Sequence, residues 1–138
     1  MSQEIYQQAI KDLARSSYAS GRLSQPSASA SLDTPLCGDR ITLDVRMDEG
    51  RIAAIGHETR GCLLCRASAS LLGRMAPGTT PVELHAAQVE LTALLEGRID
   101  APTQWPALAP FSPVGAHRSR HGCVLLPFRA LSAALAAS

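Results

Sequence analysis

The sequence predicts an α+β fold with helical segments gathered around an antiparallel hairpin, and three observations predict it. Ile41, Leu43, Val45 and Met47 alternate with Thr42, Asp44 and Arg46, the period of a strand with one buried face. Asp48-Glu49-Gly50 supplies a turn, after which 51–59 returns as a second strand. Helical spacing or composition marks 2–18, 62–75, 80–95 and the C-terminal stretch.

The N-terminal helix is expected to start from a Ser2 cap, with Glu4 near its positive end, and to run to about Tyr18. Ile5, Ala9 and Leu13 recur every four residues beside Tyr6 and Ile10 and form one apolar stripe. Residues 16–33, rich in Ser and Ala with Gly21 and Pro26, read as a long mobile connection holding at most a short extended piece. In the returning strand the inward set is either Ile52, Ala54 and Gly56 or Ala53, Ile55 and His57, and periodicity leaves both open. Gly61-Cys62 leads into a helix through Met75 that Pro77-Gly78 breaks. Thr80-Pro81-Val82-Glu83 then spells a capping box with proline at the first helical position, and Gly97 ends that helix. Pro102, Pro106, Pro110 and Pro113 predict a loop with only short helical pieces around 105–108. The last helix follows Cys123, carries Leu131 and Leu135 inward, and tolerates Pro127 only in its first turn.

A chain of 138 residues has the length of one domain, 1–138, and at 46% hydrophobic residues it can bury a core without disulfides. Aromatics are only 4%, so that core is aliphatic and alanine-rich. The net charge of +1, with both signs interspersed, argues against a nucleic-acid partner. No uncharged apolar run is long enough to span a membrane, and the N-terminus lacks the basic start and apolar run of a signal peptide. A cytoplasmic location is the resulting expectation. In that reducing compartment, four cysteines point to metal binding or thiol chemistry rather than a disulfide framework.

Three of those thiols fall at structural boundaries. Cys37 lies in the turn Pro35-Leu36-Cys37-Gly38-Asp39, Cys62 at a strand-to-helix junction, and Cys123 at a loop-to-helix junction. Cys37 and Asp39 can reach one ion if Gly38 adopts a turn that other residues avoid. Helix N-termini favour thiolates, and thiolate sulfur and carboxylate oxygen are both zinc ligands. Cys37, Asp39, Cys62 and Cys123 therefore make a four-ligand set.

These motifs resemble the U-type iron–sulfur cluster scaffold family: IscU, SufU and the N-terminal domain of NifU. Pro35-Leu36-Cys37-Gly38-Asp39, Gly61-Cys62 leading to Ala67-Ser68-Ala69-Ser70, and Arg120 three residues before Cys123 match the family's cysteine motifs in order. The likeness is greatest to the SufU branch. The stretch between Cys62 and Cys123 is long, Gly122 stands where IscU-like members have a histidine ligand, and the Leu-Pro-Pro-Val-Lys motif is absent. The resemblance implies a small antiparallel sheet packed under helices, with N- and C-terminal helices flanking it. It also implies a site of Cys37, Asp39, Cys62 and Cys123 that holds zinc or a [2Fe-2S] cluster. Its implied partners are a cysteine desulfurase, which donates sulfur, and downstream cluster-receiving proteins; its implied activity is a zinc-dependent sulfurtransferase.

Two departures stand out. Thr34 replaces the family's usual asparagine, and Cys65 adds a Cys-x-x-Cys that the family motif does not require. Cys65 is expected to be a small apolar residue on the inner helix face, the alternative being a spare ligand or a disulfide partner for Cys62. His121 is close enough in sequence to assist Cys123, but a partly exposed loop histidine is the simpler reading. His57 and His85 read as structural residues, and Arg120 as either a thiolate partner or an ordinary ion-pair residue. Asp39, the hardest ligand of the set, is expected to dissociate most readily. Cys37, on its turn, is expected to accept the sulfur. The competing functions are a structural zinc adaptor, disfavoured by the long spacings, and a dithiol oxidoreductase using Cys62 and Cys65, disfavoured by the missing βαβ pattern.

Overall fold

The computed structural model describes residues 7–34 and 38–138. The elements run α1 (Gln8–Ser16), β1 (Ala28–Thr34), β2 (Asp39–Asp48), β3 (Arg51–Arg60), α2 (Leu63–Met75), α3 (Pro81–Leu95), a 3₁₀ segment (Pro106–Ala116), a single 3₁₀ turn (Arg118–Arg120) and α4 (His121–Ala137). The strands form one antiparallel sheet in the order β1-β2-β3. Helix α4 lies across β1 and β2, α2 packs on α4 and β3, and α1 packs on α2. This is the α+β architecture expected, a small sheet beneath helices with α1 and α4 flanking the core. Among the described residues no helix is long and apolar enough to cross a membrane.

The hairpin follows the alternation in the sequence. Ile41, Leu43 and Val45 are fully buried, and the chain reverses through Glu49 and Gly50, both at positive φ. The two registers left open for β3 each hold for half the strand. Arg46 pairs with Ala54 but Met47 pairs with Ile52, so Ala53 is an extra residue in a bulge. The bulge shifts the side-chain parity, and both Ile52 and Ile55 reach the core.

Four expectations change. Helix α1 begins at Gln8, and the expected Ser2 cap lies outside the described residues, as do Glu4, Ile5 and Tyr6. Its buried residues are Ile10, Leu13 and Ala14, whereas Ala9 is exposed. Residues 16–33, expected to be a connection, lead into a seven-residue edge strand, β1, whose half-buried Ala28, Ala30, Leu32 and Thr34 alternate with exposed residues. Small Ser and Ala side chains carry little strand propensity; pairing with β2 imposes the conformation. The proline-rich segment forms a continuous 3₁₀ run over 106–116, burying Leu108, Phe111 and Val114. Pro127 lies in the second turn of α4, inside the helix rather than in its first turn. Thr80 and Glu83 make the reciprocal capping bonds as expected.

The segment before β1 is tied down by polar contacts that the sequence did not reveal. Gly21 N–H donates to the His57 carbonyl at 2.7 Å, and His57 N–H donates to Ala19. Next along, the Arg22 guanidinium donates two bonds to the buried Asp44 carboxylate, at 2.7 and 3.0 Å. Leu23 N–H and the Ser29 hydroxyl complete its shell. The Arg22 bond holds the Asp44 carboxyl below the usual carboxylate range against the upward push of burial, and Ser29 and Leu23 add to it. The His57 ring is also buried: Nε2–H donates to the Tyr18 carbonyl and Nδ1 accepts from the Thr59 hydroxyl. Burial lowers its pKa, opposed by the bond to Tyr18.

Asp44→Ala is expected to lower unfolding free energy by about 2–4 kcal/mol, since bonds to a buried charge are worth about 1.5–3 kcal/mol each and the exposed Arg22 regains water. Urea denaturation checks this, and a change under about 0.5 kcal/mol would contradict the anchoring role. For His57 the folded state binds the proton less readily than the unfolded chain. Its contribution is therefore complete above about pH 6.5 and declines as the pH falls below that value. Stability is expected to drop between about pH 7.5 and pH 5.5 by no more than about 1.4 kcal/mol per pH unit from this group. His57→Gln should flatten that slope; an unchanged slope would assign it to other groups.

Candidate metal centre

Three element boundaries meet at one end of the sheet. Asp39 opens β2, Cys62 is the N-cap of α2, and Cys123 lies in the first turn of α4. One ligand atom from each, the carboxylate oxygen and the two Sγ atoms, lies within 4.8 Å of both others. Asp39 and Cys123 are buried and Cys62 is half-buried. Cys37 lies outside the described residues, together with Pro35 and Leu36.

Local interactions explain why Asp39 and Cys62 meet. A helix start leaves backbone N–H groups without intrahelical acceptors. Asp39 Oδ1 accepts one of them, the N–H of Cys62, at 3.1 Å, placing a carboxylate at the positive end of α2. Its other oxygen faces Cys62 Sγ at 3.5 Å. On the other side, Thr34 Oγ1 accepts the Asp39 N–H at 3.3 Å and the Thr34 carbonyl accepts the Gly38 N–H at 2.9 Å. Thr34, the departure from the family pattern, thus supports the ligand without joining it. Gly38 has φ +70, the left-handed conformation expected of this turn. Gly61 allows the close approach of strand end and carboxylate: a Cβ there would stand 2.8 Å from Asp39 Cγ.

Cys123 is brought in by packing. It is fully buried in α4, and the Ser68 hydroxyl of α2 donates to the next carbonyl, that of Val124, at 2.6 Å. Pro127 sits four residues beyond Cys123 and has no N–H to offer the Cys123 carbonyl, so the helical ladder is interrupted where the thiol is held.

The remaining sequence candidates separate clearly. Cys65 is fully buried in the hydrophobic core and is not in the converging group, the packing role expected of it. His121 is half-buried at the start of α4, its Nε2–H donating to the Gly115 carbonyl at 3.0 Å, and it too stands outside the group. His57 is structural, as expected, whereas His85 is solvent-exposed. Arg120 is half-buried and precedes the first residue of α4. The expectation that Asp39 is the loosest ligand meets a counterweight. Its residue is only 2% exposed, and its Oδ1 is anchored by the Cys62 amide.

The donor set fits a thiophilic divalent ion. Tetrahedral zinc with bonds near 2.3 Å to sulfur and 2.0 Å to oxygen places the S and O ligands about 3.5 Å apart. The Cys62–Asp39 separation already has that value, and no two of the three ligand atoms are more than 4.8 Å apart.

The sequence matches the NifU-like N terminal domain family over residues 5–105. It is 26% identical over 131 residues to the iron–sulfur cluster assembly scaffold protein IscU of Thermotoga maritima, covering 95% of this chain and 92% of that protein. The N-terminal domain of a nitrogen-fixing NifU-like protein from Brucella abortus superposes with a TM-score of 0.91 at 30% identity, covering 96% of this chain and 93% of that one. A candidate scaffold protein for the SUF system of Fervidobacterium islandicum has the same fold, with a TM-score of 0.91 at 24% identity over 98% of this chain and 99% of that one. The long interval between Cys62 and Cys123 is occupied by α3 and the 3₁₀ segment.

Gly61→Ala is expected to displace the Asp39 carboxylate and weaken Co²⁺ binding about 10–100-fold, the cost of disturbing a ligand's supporting shell. Gly122→Ala is the control, because among the described residues a Cβ there meets only the Thr34 methyl at 3.8 Å, an ordinary contact. Sulfur-to-cobalt absorption during titration reads both variants. Equal affinities for the two would show that the tight approach at Gly61 has no bearing on the centre.

Proposed function

We propose a function from two facts: the chain belongs to the family of NifU-like N-terminal domains, and its Asp39, Cys62 and Cys123 converge at one end of the sheet. The chain acts in iron–sulfur cluster assembly as a sulfur carrier of SufU type. It binds zinc through Cys37, Asp39, Cys62 and Cys123 and takes sulfur from a cysteine desulfurase. The convergence of a carboxylate and two thiols from three different elements is the observation that carries this reading.

Bound zinc would keep the thiols deprotonated and guard them from oxidation. The chain's own residues do the rest. Asp39 orients Cys62 through its amide, and Cys123 is immobilised within α4. These two thiolates would hold the ion together with Asp39, which would leave Cys37 available as the nucleophile. The Cys37 thiolate attacks the terminal sulfur of the desulfurase persulfide; the S–S bond there breaks, the desulfurase cysteine leaves as thiolate, and a persulfide forms on Cys37. No net oxidation occurs, and no further reactant is required.

The relatives named as iron–sulfur cluster scaffolds favour one second reading, in which the same four residues hold a [2Fe-2S] cluster for transfer to cluster-receiving proteins. Metal analysis and visible absorption of anaerobically purified protein separate the two occupants.

Cys37→Ser is expected to abolish stimulation of the cysteine desulfurase of the same organism while leaving the circular dichroism spectrum and thermal midpoint in place. Mass spectrometry of the wild-type protein after incubation with desulfurase and cysteine should find added sulfur on the Cys37 peptide. Sulfur on Cys123 or Cys65, with Cys37 unmodified, would overturn the assignment of the acceptor.

A further inference from the structure

The row of residues that crosses the sheet beside the centre carries an arrangement that the fold does not explain. Asp33, Arg40 and Arg60 are direct register partners on β1, β2 and β3, one step from Asp39 and two residues before Cys62. Arg40 and Arg60 are thus like charges directly opposite on paired strands, an arrangement that disfavours pairing. Arg40 makes one ion pair, to Asp33 at 3.6 Å, with both side chains 59% exposed, so water screens most of its effect. Arg60, Arg66 and Arg118 are exposed, and among the described residues none of them forms an ion pair. Arg66 stands one turn beyond Cys62 on α2, and Arg118 lies in the 3₁₀ turn that feeds α4. Two helices, α2 and α4, also direct their positive ends toward this end of the molecule.

We propose that Arg40 and Arg60, at this end of the sheet on the face opposite Asp39, form with Arg66 and Arg118 a basic rim bordering the metal centre that receives an acidic surface of the sulfur-donating enzyme. The inference rests on the sulfur-carrier reading above and adds the surface by which the donor docks. The overall net charge is only +1, so the positive charge of these four arginines is offset by an acidic excess in the rest of the chain. A rim of one sign steers a partner of opposite sign and orients it, and the orientation matters because the persulfide must arrive at one thiol. Arginine suits the task, since its planar fork binds carboxylates in pairs. A nucleic acid is the less suited occupant, because Trp105, the sole tryptophan, is buried in the core and among the described residues the rim offers no aromatic platform for bases. Compensation of the centre's own negative charge is the other role open to these arginines, and it predicts a change in metal affinity instead of association.

The test uses the full-length zinc-loaded protein and the cysteine desulfurase of the same organism, with association followed by biolayer interferometry. The double variant Arg60→Glu/Arg66→Glu is compared with Arg46→Glu, an exposed residue near the hairpin turn at the other end of β2. At low salt the double variant is expected to associate at least about tenfold more slowly, and the difference should vanish near about 0.5 M NaCl. Arg46→Glu should stay within about twofold of wild type, and zinc content and thermal midpoint should be unchanged in all three. Association unaffected by the double variant, or reduced equally by Arg46→Glu, overturns the rim. So does a loss confined to zinc affinity, or tighter retention of a DNA duplex than of the desulfurase. If wild type stimulates the desulfurase but binds it independently of salt, the rim alone fails; if wild type neither binds nor stimulates it, the sulfur-carrier reading fails first.

Discussion

The bond from the Cys62 amide to the Asp39 carboxylate joins the start of a strand to the start of a helix, and the geometry of the centre depends on it. Each group meets a need of the other. A buried carboxylate requires donors, and an N-capping amide requires an acceptor. Because β2 begins at Asp39 and α2 begins after Cys62, satisfying both groups also sets where the helix leaves the sheet. Thr34, Gly38 and Gly61 serve that arrangement, the first by accepting the Asp39 N–H and the glycines by admitting a left-handed turn and a close approach.

The third arm of the centre is held differently. Cys123 is placed by the packing of α4, whose Val124, Phe128, Leu131 and Ala134 are fully buried. Phe128 meets Trp105 with ring centroids 6.0 Å apart, so the stretch leading into the proline-rich 3₁₀ segment braces the same helix. Glu90 of α3 in turn accepts the N–H groups of Thr103, Gln104 and Trp105, fixing where that stretch begins. The long interval between the second and third cysteines is therefore part of the support for the centre: it holds the helix that carries Cys123.

Two buried aspartates on β2 show how position divides structural from chemical roles. Asp39 and Asp44 are an odd number of residues apart and so face opposite sides of the sheet. Asp44 is enclosed by Arg22, Leu23 and Ser29, a closed set of donors that pins the segment ahead of β1. Asp39 has an amide on one oxygen and a thiol near the other, and a thiol can lose its proton to become a second ligand. Similar burial thus gives a clamp on one face and a centre on the other.

The sequence by itself determined what depends on short-range rules. Alternation at 41–47 gave the hairpin, Thr80-Pro81-Val82-Glu83 gave the capped start of α3, and the placement of Cys62 and Asp39 at element boundaries marked the candidate ligands. The cysteine motifs also carried the family resemblance. Tertiary structure decided wherever a residue's conformation is set by a distant neighbour. Ser29 and Ala30 have little intrinsic preference for a strand and become one by pairing with Asp44 and Leu43. The bulge at Ala53 lets Ile52 and Ile55 both face inward, which no single register could express. Pro127 persists inside α4 because the surrounding core fixes the helix on both sides of it. The Arg22–Asp44 clamp and the opposed Arg40 and Arg60 exist only once residues about twenty positions apart in sequence lie side by side. Propensity and motif act over a few residues, whereas strand pairing, burial and field act over the folded distance, and only the fold sets that distance.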